Sequence, residues 1–397
     1  MNSNDTTETA LFTKEFTKDP FLTYAKLRKT DPIYRCLFPD GQYGWMITRY
    51  EDAVEALKDL RFVKDYYKLN EDEMAHRTAF DQSMLFSDPP DHKRLRGLVQ
   101  KSFSVKMIEE MRTRIQEITD ELLDEWSGKT SVDLINEFAF PLPIIVICEM
   151  LGVPTEDRDK FRIWSTSLIE GPDGDFADEI DQHMDEFFQY LSQRFEIVRR
   201  SPGEDLISQL IIAEEEGDKL TEQELYGVVM LLIVAGHETT VNLIGNTILA
   251  LLEHPEQLQL LIQEPDRIHS AIEESLRYNG PVEFSTSRWV SEDIEFKGKA
   301  MKKGELIIIA LNSADHDEEK FDNPEQFDIT KEKSQHLAFG KGIHLCLGAP
   351  LARLEGEIAI SSLVQCFPNI KLQMDMDELE WRPGMVVRGV KEIPLFL

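Results

Sequence analysis

The segment from Thr221 to Leu252 restricts the possible folds of this chain more than any other segment. Thr221 and Glu224 have the spacing of a capping box, which predicts where a helix begins, and His254-Pro255 predicts where it ends. From Val228 to Val234 every residue is apolar, so this part of the helix has no face suited to water. The apolar run is far below the ~20 residues that span a bilayer. We therefore expect a long helix through the core of a soluble protein.

Helical patterns also dominate the rest of the sequence. Residues 105–126 carry apolar side chains at the three- and four-residue spacing of an amphipathic helix. Strand patterns are few and occur late in the chain: Leu306 to Leu311, and short β-prone pieces near Arg288–Val290 and Val386–Arg388. The sequence therefore predicts a mainly α protein with a minor β-sheet.

The organisation of the chain is that of a single unit. No repeat, Gly/Ser linker or low-complexity tract divides it, which predicts one domain over residues 1–397 with a disordered segment at 1–12. The first ten residues are polar and acidic and lack the basic and apolar regions of a secretory signal. Lys and Arg number 43 against 74 Asp and Glu, and a net charge of −31 repels phosphate backbones and anionic lipids. We expect a cytoplasmic protein without nucleic-acid or membrane partners.

Residues 339–348, Phe-Gly-Lys-Gly-Ile-His-Leu-Cys-Leu-Gly, are the strongest candidate for a chemical site. Three glycines permit unusual backbone angles and close approach to a flat partner. Cys346 precedes an apparent helix with Pro350 in its first turn, where backbone N–H groups and the helix dipole favour a thiolate. A cysteine is otherwise most simply a small buried hydrophobic residue, which is our interpretation of Cys36, Cys148 and Cys366.

Six residues of this stretch match, residue by residue, the haem-binding loop of the cytochrome P-450 monooxygenases: Phe339, Gly340, Gly342, His344, Cys346 and Gly348. Segments 88–96, 235–240 and 274–277 resemble further motifs of that family, in the family's order. The resemblance extends from about Pro20 to Leu397 and is strongest to soluble bacterial members, including those that tailor polyketides and other secondary metabolites. It implies the cytochrome P-450 fold, with haem buried between the long central helix and the helix after the cysteine loop.

The resemblance also implies the cofactor, haem b (iron protoporphyrin IX), with Cys346 as the axial ligand of its iron. A thiolate in that position favours O–O cleavage. Ala235 on the central helix is implied as a haem contact. Four basic residues are expected to hold the haem propionates: His92, Arg96, Arg288 and His344. The spacing of His92 and Arg96 places both on one helical face, whereas His344 taken alone is equally a surface loop histidine.

Glu238 and Thr239 are polar residues within the otherwise apolar central helix. The resemblance implies an acid–alcohol pair that orders water and delivers protons during dioxygen activation, and these two are the predicted catalytic residues. The structural alternative is that the threonine hydroxyl bonds its own helix and the buried carboxylate is simply paired. Gly236 beside them should let a ligand approach the helix, which favours the functional interpretation. Thr240 is interpreted as structural.

Glu274 and Arg277 are three residues apart on a predicted helix and are close enough to pair. In the resembled family such a pair ties its helix to the chain before the haem cysteine, usually through a third residue, an arginine. Here that position is Gln326, which leaves the three-residue network open. The predicted role of the pair is structural in either case.

The substrate chamber is predicted by position along the resembled fold, and its members are mostly apolar, which suits a hydrophobic substrate of medium size. Each of these residues is equally interpretable as ordinary core. The predicted residues are Met84, Leu85, Phe86, Leu231, Val234, Phe284, Thr286, Met385 and Val386.

The resemblance implies a haem-thiolate monooxygenase, acting as a monomer, that inserts one oxygen atom from O2 into a hydrophobic small molecule. The chain shows no flavin or nicotinamide domain, so electrons are expected from a separate ferredoxin or flavodoxin with its reductase. Basic residues near the cysteine loop form a candidate docking surface: Lys93, Arg94, Lys101, Lys341 and Arg353. A hydrogen-peroxide-driven peroxygenase and a non-catalytic haem sensor are the alternatives. The substrate and the role of Glu283 stay open.

Overall fold

The structure is a computed structural model that describes residues 11–39, 41–171, 174–215, 219–331 and 334–397. Helices form most of it, as expected. In chain order they are α1 (Lys14–Lys18), α2 (Phe21–Thr30), α3 (Tyr50–Lys58), α4 (Tyr66–Leu69), α5 (Asp91–Val99), α6 (Val105–Glu110), α7 (Arg112–Asp124), α8 (Pro141–Leu151), α9 (Arg158–Glu170), α10 (Ile180–Arg200), α11 (Leu206–Glu215), α12 (Glu222–Glu253), α13 (Pro255–Gln263), α14 (Ile268–Tyr278), α15 (Leu311–Asp315) and α16 (Ala349–Cys366).

The predicted central helix is α12, and both of its predicted ends are confirmed. The Thr221 hydroxyl accepts a hydrogen bond from the Glu224 N–H, and the Glu224 carboxylate accepts one from the Thr221 N–H. At the other end His254 caps the helix and α13 begins at Pro255. By length and composition α12 could cross a membrane, but 83% of its most apolar window is buried inside the protein. Other parts of the protein, rather than lipid, therefore cover the apolar surface of α12.

Short strands form three small sheets: β1 (Ile33–Leu37), β2 (Tyr43–Ile47), β3 (Phe62–Val63), β4 (Ser131–Asp133), β5 (Arg288–Val290), β6 (Ile294–Phe296), β7 (Lys299–Met301), β8 (Leu306–Ile309), β9 (Lys371–Leu372) and β10 (Pro394–Phe396). The largest has the order β1-β2-β8-β5-β3, with β2 and β8 parallel and the other neighbours antiparallel. All four residues of β8 are buried, as its apolar run predicted. This sheet packs over a core cluster of its own beside the large helical core.

Three expectations differ from the structure in detail. The single helix over 105–126 is two helices, because a tight turn at Met111 separates α6 from α7. The β-prone piece at Val386–Arg388 forms only an isolated bridge, between Val387 and Val282. Residues 1–10 of the expected disordered segment lie outside the described residues, but Phe12 is ordered and its ring contacts Phe38 and Phe284.

The pair Glu274–Arg277 lies at the end of α14, with both side chains 1% exposed. The Arg277 guanidinium donates two hydrogen bonds to the Glu274 carboxylate, at 2.8 and 2.9 Å. It also donates to the backbone carbonyls of Pro324 (2.8 Å) and Gln326 (3.1 Å). The residue at position 326 thus takes part through its backbone, and the further cation of the network is Lys331, 3.1 Å from Glu274. The network ties α14 to the chain that leads to residues 339–348.

We expect Arg277→Met to lower the free energy of unfolding by about 3–5 kcal/mol, because it leaves the buried Glu274 carboxylate without its main partner. Lys331→Met is the matched control: its side chain is 30% exposed, so its loss should cost about 1 kcal/mol or less. Urea unfolding of the two variants and the wild type, followed by circular dichroism, measures both. Equal losses for the two variants would contradict this account of the network.

Candidate functional site

The cysteine loop, residues 339–348, depends on glycine for its path. Gly340 and Gly342 have φ angles of +68° and +78°, which are strained for residues with a side chain. A Cβ atom on Gly342 would lie 2.7 Å from the carbonyl oxygen of Leu57, so only glycine lets the loop pack against the end of α3. The N–H of Cys346 donates to the carbonyl oxygen of Phe339 at 2.9 Å, which holds the two ends of the loop together.

Cys346 lies just before α16, as its sequence context predicted, with Pro350 in the first turn of that helix. The backbone N–H groups of Gly348 and Ala349 lie close enough to its sulfur to act on it electrostatically. The side chain is enclosed by protein, and its exposed surface faces an internal cavity. Burial raises the pKa of Cys346, whereas the Gly348 N–H, the Arg96 guanidinium and the Ala349 N–H lower it. The surroundings thus favour a thiolate as soon as a positive partner in the cavity offsets the desolvation.

A large cavity separates the cysteine loop from the middle of α12. Ala235 is exposed to it, although the preceding four residues of the helix are buried. Gly236 also lines the cavity, but a Cβ there would lie 2.9 Å from Ile147, so this glycine is required mainly for close packing of α12 on α8. The lining is predominantly apolar and includes Leu57, Met84, Leu85, Phe103, Leu231, Leu232, Thr239, Leu243, Val282, Thr286 and Leu351.

The four predicted propionate ligands meet at one end of this cavity. His92, Arg96, Arg288 and His344 all line it, and the His92 and His344 rings are 4.3 Å apart. Within the described residues, His344 Nε2 and Arg288 Nε are buried without a hydrogen-bond partner. Burial and the surrounding cations lower the pKa of His344 to about 2, and burial lowers the pKa of Arg288 to about 10. Such a cluster of basic groups, with guanidinium cations and ring nitrogens that lack partners, is suited to a ligand with more than one carboxylate.

Glu238 is buried and turned away from the cavity. Arg382 donates to its carboxylate at 2.6 Å, and the same guanidinium donates to Glu170 at 2.8 Å. His237 lies beside it, with Nε2 at 3.6 Å from Glu238 Oε1. Burial alone would raise the pKa of Glu238, but Arg382 and His237 more than offset this and bring it to about 2. The carboxylate is therefore held ionised, which agrees with the paired alternative considered for this residue.

Thr239 faces the cavity, unlike its neighbour. Its hydroxyl donates to the carbonyl oxygen of Ala235 at 3.1 Å, so the oxygen remains free to accept from a molecule in the cavity. Thr240 is buried next to Glu355 of α16, and both also line the cavity. Within the described residues neither carboxyl oxygen of Glu355 has a hydrogen-bond partner of good geometry. Burial raises the pKa of Glu355 to about 8 against a weaker effect of Thr240, so the group is mostly protonated near neutral pH.

Four of the nine predicted pocket residues line the cavity: Met84, Leu85, Leu231 and Thr286. The other five side chains are placed elsewhere. The Phe86 ring packs at a tilt against Phe80, and Val234 is buried in the helical core. Phe284 and Met385 pack into a separate cluster of buried apolar residues near the N-terminus. The carbonyl oxygen of Val386 accepts from the N–H of Glu283.

Glu283, whose role the sequence left open, belongs to a buried structural network. Its carboxylate accepts a hydrogen bond from the Tyr24 hydroxyl at 2.5 Å and lies 3.5 Å from the Arg388 guanidinium. It thereby links α2 to the segment before β5, which reaches the cavity at Thr286 and Arg288.

Two members of the candidate docking surface are not available for docking. Arg94 donates to Glu224 and Asp91, and Arg353 donates to Glu273. The sequence could not show this, because these partners lie on other helices or one turn away. The remaining members are Lys93, Lys101 and Lys341.

Three residues of the site were missed by the sequence analysis: Lys64, Glu355 and Arg382. In the sequence, Lys64 and Arg382 are single charged residues with other polar residues nearby. Their burial becomes visible only in the folded structure. Glu355 gave no distinguishing signal, because charged residues, Arg353 and Glu357, lie two positions to either side of it.

The comparisons with known proteins agree with this geometry. The family model described as "Cytochrome P450" matches residues 9–159 and 168–394. "Polyketide biosynthesis cytochrome P450 PksS" of Bacillus subtilis (strain 168) is 41% identical over 97% of this chain and 97% of its own. "Vitamin D(3) 25-hydroxylase" of Pseudonocardia autotrophica is 43% identical over 100% and 98%. The crystal structure of myxobacterial cytochrome P450 CYP267B1 in complex with myristic acid superposes with a TM-score of 0.94, at 42% identity over 97% and 98% of the two chains.

We expect Glu355→Gln to remove a pH dependence of stability. An acid whose pKa rises from 4.5 to about 8 on folding binds its proton in the folded state, so its contribution is complete below about pH 4.5 and is lost as the pH rises to about 8. The wild type should therefore lose up to about 1.4 kcal/mol per pH unit relative to the variant over this window. Urea unfolding at a series of pH values measures the difference. Glu357→Gln on the same helix is the control for surface charge, and parallel curves for Glu355→Gln and wild type would contradict the prediction.

Proposed function

Because this chain belongs to the cytochrome P450 family, we propose that it is a haem-thiolate monooxygenase that inserts one atom of O2 into a hydrophobic small molecule. Family membership makes it an enzyme of the P450 monooxygenase class, with a haem cofactor. The observation that carries this more specific proposal is the placement of Cys346 and Thr239, which line the same mainly apolar cavity although they come from different parts of the chain. The cysteine lies at a helix start and the hydroxyl on a core helix, as this chemistry requires.

The residues present fit haem b. Cys346 offers a sulfur ligand whose surroundings favour thiolate, and Ala235 leaves the facing surface of α12 flat. The unpartnered nitrogens of His344 and Arg288 fit the two carboxylates that haem b carries. Cys346 would hold the iron, and His92 and Arg96 would complete the propionate site. When bound, haem with a thiolate ligand supplies dioxygen binding and O–O cleavage.

The protein's own residues would position the substrate and handle protons. The apolar lining, with Leu231 and Met84 among its members, would orient a hydrophobic molecule and exclude bulk water. The Thr239 hydroxyl would hold an ordered water at the cavity wall and pass a proton through it. Glu238 would supply protons to that water after leaving Arg382, because in the present arrangement its carboxylate faces away from the cavity.

The proposed electron source is a separate ferredoxin or flavodoxin with its reductase. Lys93, Lys101 and Lys341 would be its docking contacts, because they are the candidate cations near the cysteine loop for which the described residues provide no ion pair. Local positive charge is needed there, since the net charge of −31 repels an acidic partner. We further propose that the protein acts as a cytoplasmic monomer.

The proposed substrate class is a medium-sized, mainly hydrophobic molecule of secondary metabolism. The named relatives include a polyketide-biosynthesis protein and a vitamin D(3) hydroxylase, and a similar structure binds myristic acid. The apolar lining is compatible with each of these chemistries. A Soret difference titration over a chemically diverse panel would identify the ligands that displace water from the iron.

Cys346→Ala tests the proposed function. The wild type should show the red-shifted reduced-carbonyl Soret band of a thiolate ligand, and the variant should lose it because no other described cysteine lines the cavity. In the same preparations, the wild type should turn over a bound substrate with NAD(P)H and redox partners faster than with hydrogen peroxide alone. A variant that keeps the band would contradict the ligand assignment, and turnover only with peroxide would favour the peroxygenase.

Thr239→Ala should separate electron consumption from product formation. Without the hydroxyl the ordered water is lost, so NAD(P)H consumption should continue while product per NAD(P)H falls about tenfold and hydrogen peroxide rises. Thr247→Ala is the matched control, because its hydroxyl also bonds the carbonyl four residues earlier on α12 but does not line the cavity. An unchanged product yield in Thr239→Ala would exclude this role.

A further inference from the structure

Lys64 is the most deeply buried lysine beside the cavity, with 1% of its surface exposed. It directly follows β3, and its ammonium group donates to the Thr286 hydroxyl oxygen at 2.5 Å and to the Ser287 carbonyl oxygen at 2.7 Å. The Phe86 ring lies 5.7 Å from the same nitrogen. Lys64 thus contacts both the 84–86 turn and the segment before β5, which are two walls of the cavity.

The charge of Lys64 is poorly balanced by the protein. Both of its hydrogen-bond acceptors are uncharged, and the nearby guanidinium of Arg288 is also positive. Asp88 is the acid that acts on it, but the Asp88 carboxylate already accepts from the backbone N–H groups of Lys64 and Asp65. Burial and Arg288 lower the pKa of Lys64, and Asp88 only partly opposes them. A buried cation in such surroundings requires an anion nearby.

Thr286 lies between Lys64 and the cavity, which it lines, so an anion in the cavity could interact with Lys64 through Thr286. An ammonium group has donors and no acceptor, so in their hydrogen bond the Thr286 oxygen must accept. The hydroxyl hydrogen is then free to donate, and no acceptor for it is found within the described residues. A hydroxyl polarised in this way by a cation is a stronger donor than an ordinary threonine.

From this geometry we propose that Lys64 and Thr286 form a relay that presents one strong hydrogen-bond donor to a carboxylate bound in the cavity. The proposal rests on the proposed function, because the carboxylate belongs either to a haem propionate or to the substrate. The nearness of Lys64 to Arg288 places the relay beside the propionate cluster, so we expect the haem carboxylate to be the partner. Lys64 acts through Thr286 and is a positioning residue.

The first arm of the test measures haem retention in the holoproteins by transfer to excess apomyoglobin. Lys64→Met and Thr286→Val should each lose haem about tenfold faster than wild type, the loss expected for one hydrogen bond to a charged group. The double variant should be no faster than either single one, because the two residues act through the same bond. Thr286→Ser retains the hydroxyl and should restore the wild-type rate.

The second arm measures the affinity for myristic acid against 1-tetradecanol by Soret titration. A substrate carboxylate as partner predicts about tenfold weaker binding of the acid, but not of the alcohol, in Lys64→Met and Thr286→Val, with haem loss unchanged. Thr247→Ala is the matched control for both arms, since its hydroxyl hydrogen is used in a bond to the Leu243 carbonyl oxygen and its side chain does not line the cavity.

A faster haem loss supports the haem carboxylate, and a selective loss of acid affinity supports a substrate carboxylate. Wild-type behaviour of Lys64→Met in both arms, or an effect of Thr286→Val without one of Lys64→Met, would overturn the relay. If Lys64→Met does not fold, we compare Thr286→Val with Thr286→Ser instead. The rate of haem loss and the affinity for myristic acid then test the relay in the same way. A wild type without the thiolate band would instead count against the proposed function.

Discussion

The fold is organised by the need to cover a helix that has no polar face in its middle. Helix α12 is buried from Leu225 to Val234 and again beyond Val241, so other helices must pack on all of its sides. Several residues of α12 line the cavity, and among them the side chains of Ala235 and Thr239 are not fully buried. Because the rest of the helix is fixed by packing, these two positions are held rigidly opposite the cysteine loop. The geometry of the site therefore follows from the burial of the helix.

The second constraint is electrostatic. In a chain of net charge −31, basic side chains outnumber the acids at one end of the cavity, where Asp88 acts on several of them. Burying them costs free energy that the protein alone does not recover, as the unpartnered nitrogens of His344 and Arg288 show. A dianionic cofactor would recover it on binding. The stability of the site and the affinity for its cofactor are thus expected to be two aspects of the same interaction.

Sequence was sufficient wherever function depends on local pattern. The limits of α12, the glycines of the cysteine loop and the position of Cys346 before α16 all follow from neighbours in the chain. It was insufficient wherever tertiary packing decides which way a side chain faces. Phe284 and Met385 are apolar and close in sequence to cavity residues, but they pack into the N-terminal core. The Glu224 partner of Arg94 and the Thr286 partner of Lys64 are likewise distant in sequence, so neither of these contacts was visible.

The arrangement of Glu238 shows what the sequence motif alone leaves out. Two adjacent polar residues on a helix point about 100° apart, so an acid and an alcohol in succession need not face the same cavity wall. Here Thr239 faces the cavity, and Glu238 faces Arg382 and Glu170. An acid with a pKa near 2 is a poor proton donor at neutral pH. In the proposed mechanism, proton supply to Thr239 would depend on how readily Arg382 releases Glu238, and Arg382 also contacts Glu170 at the end of α9.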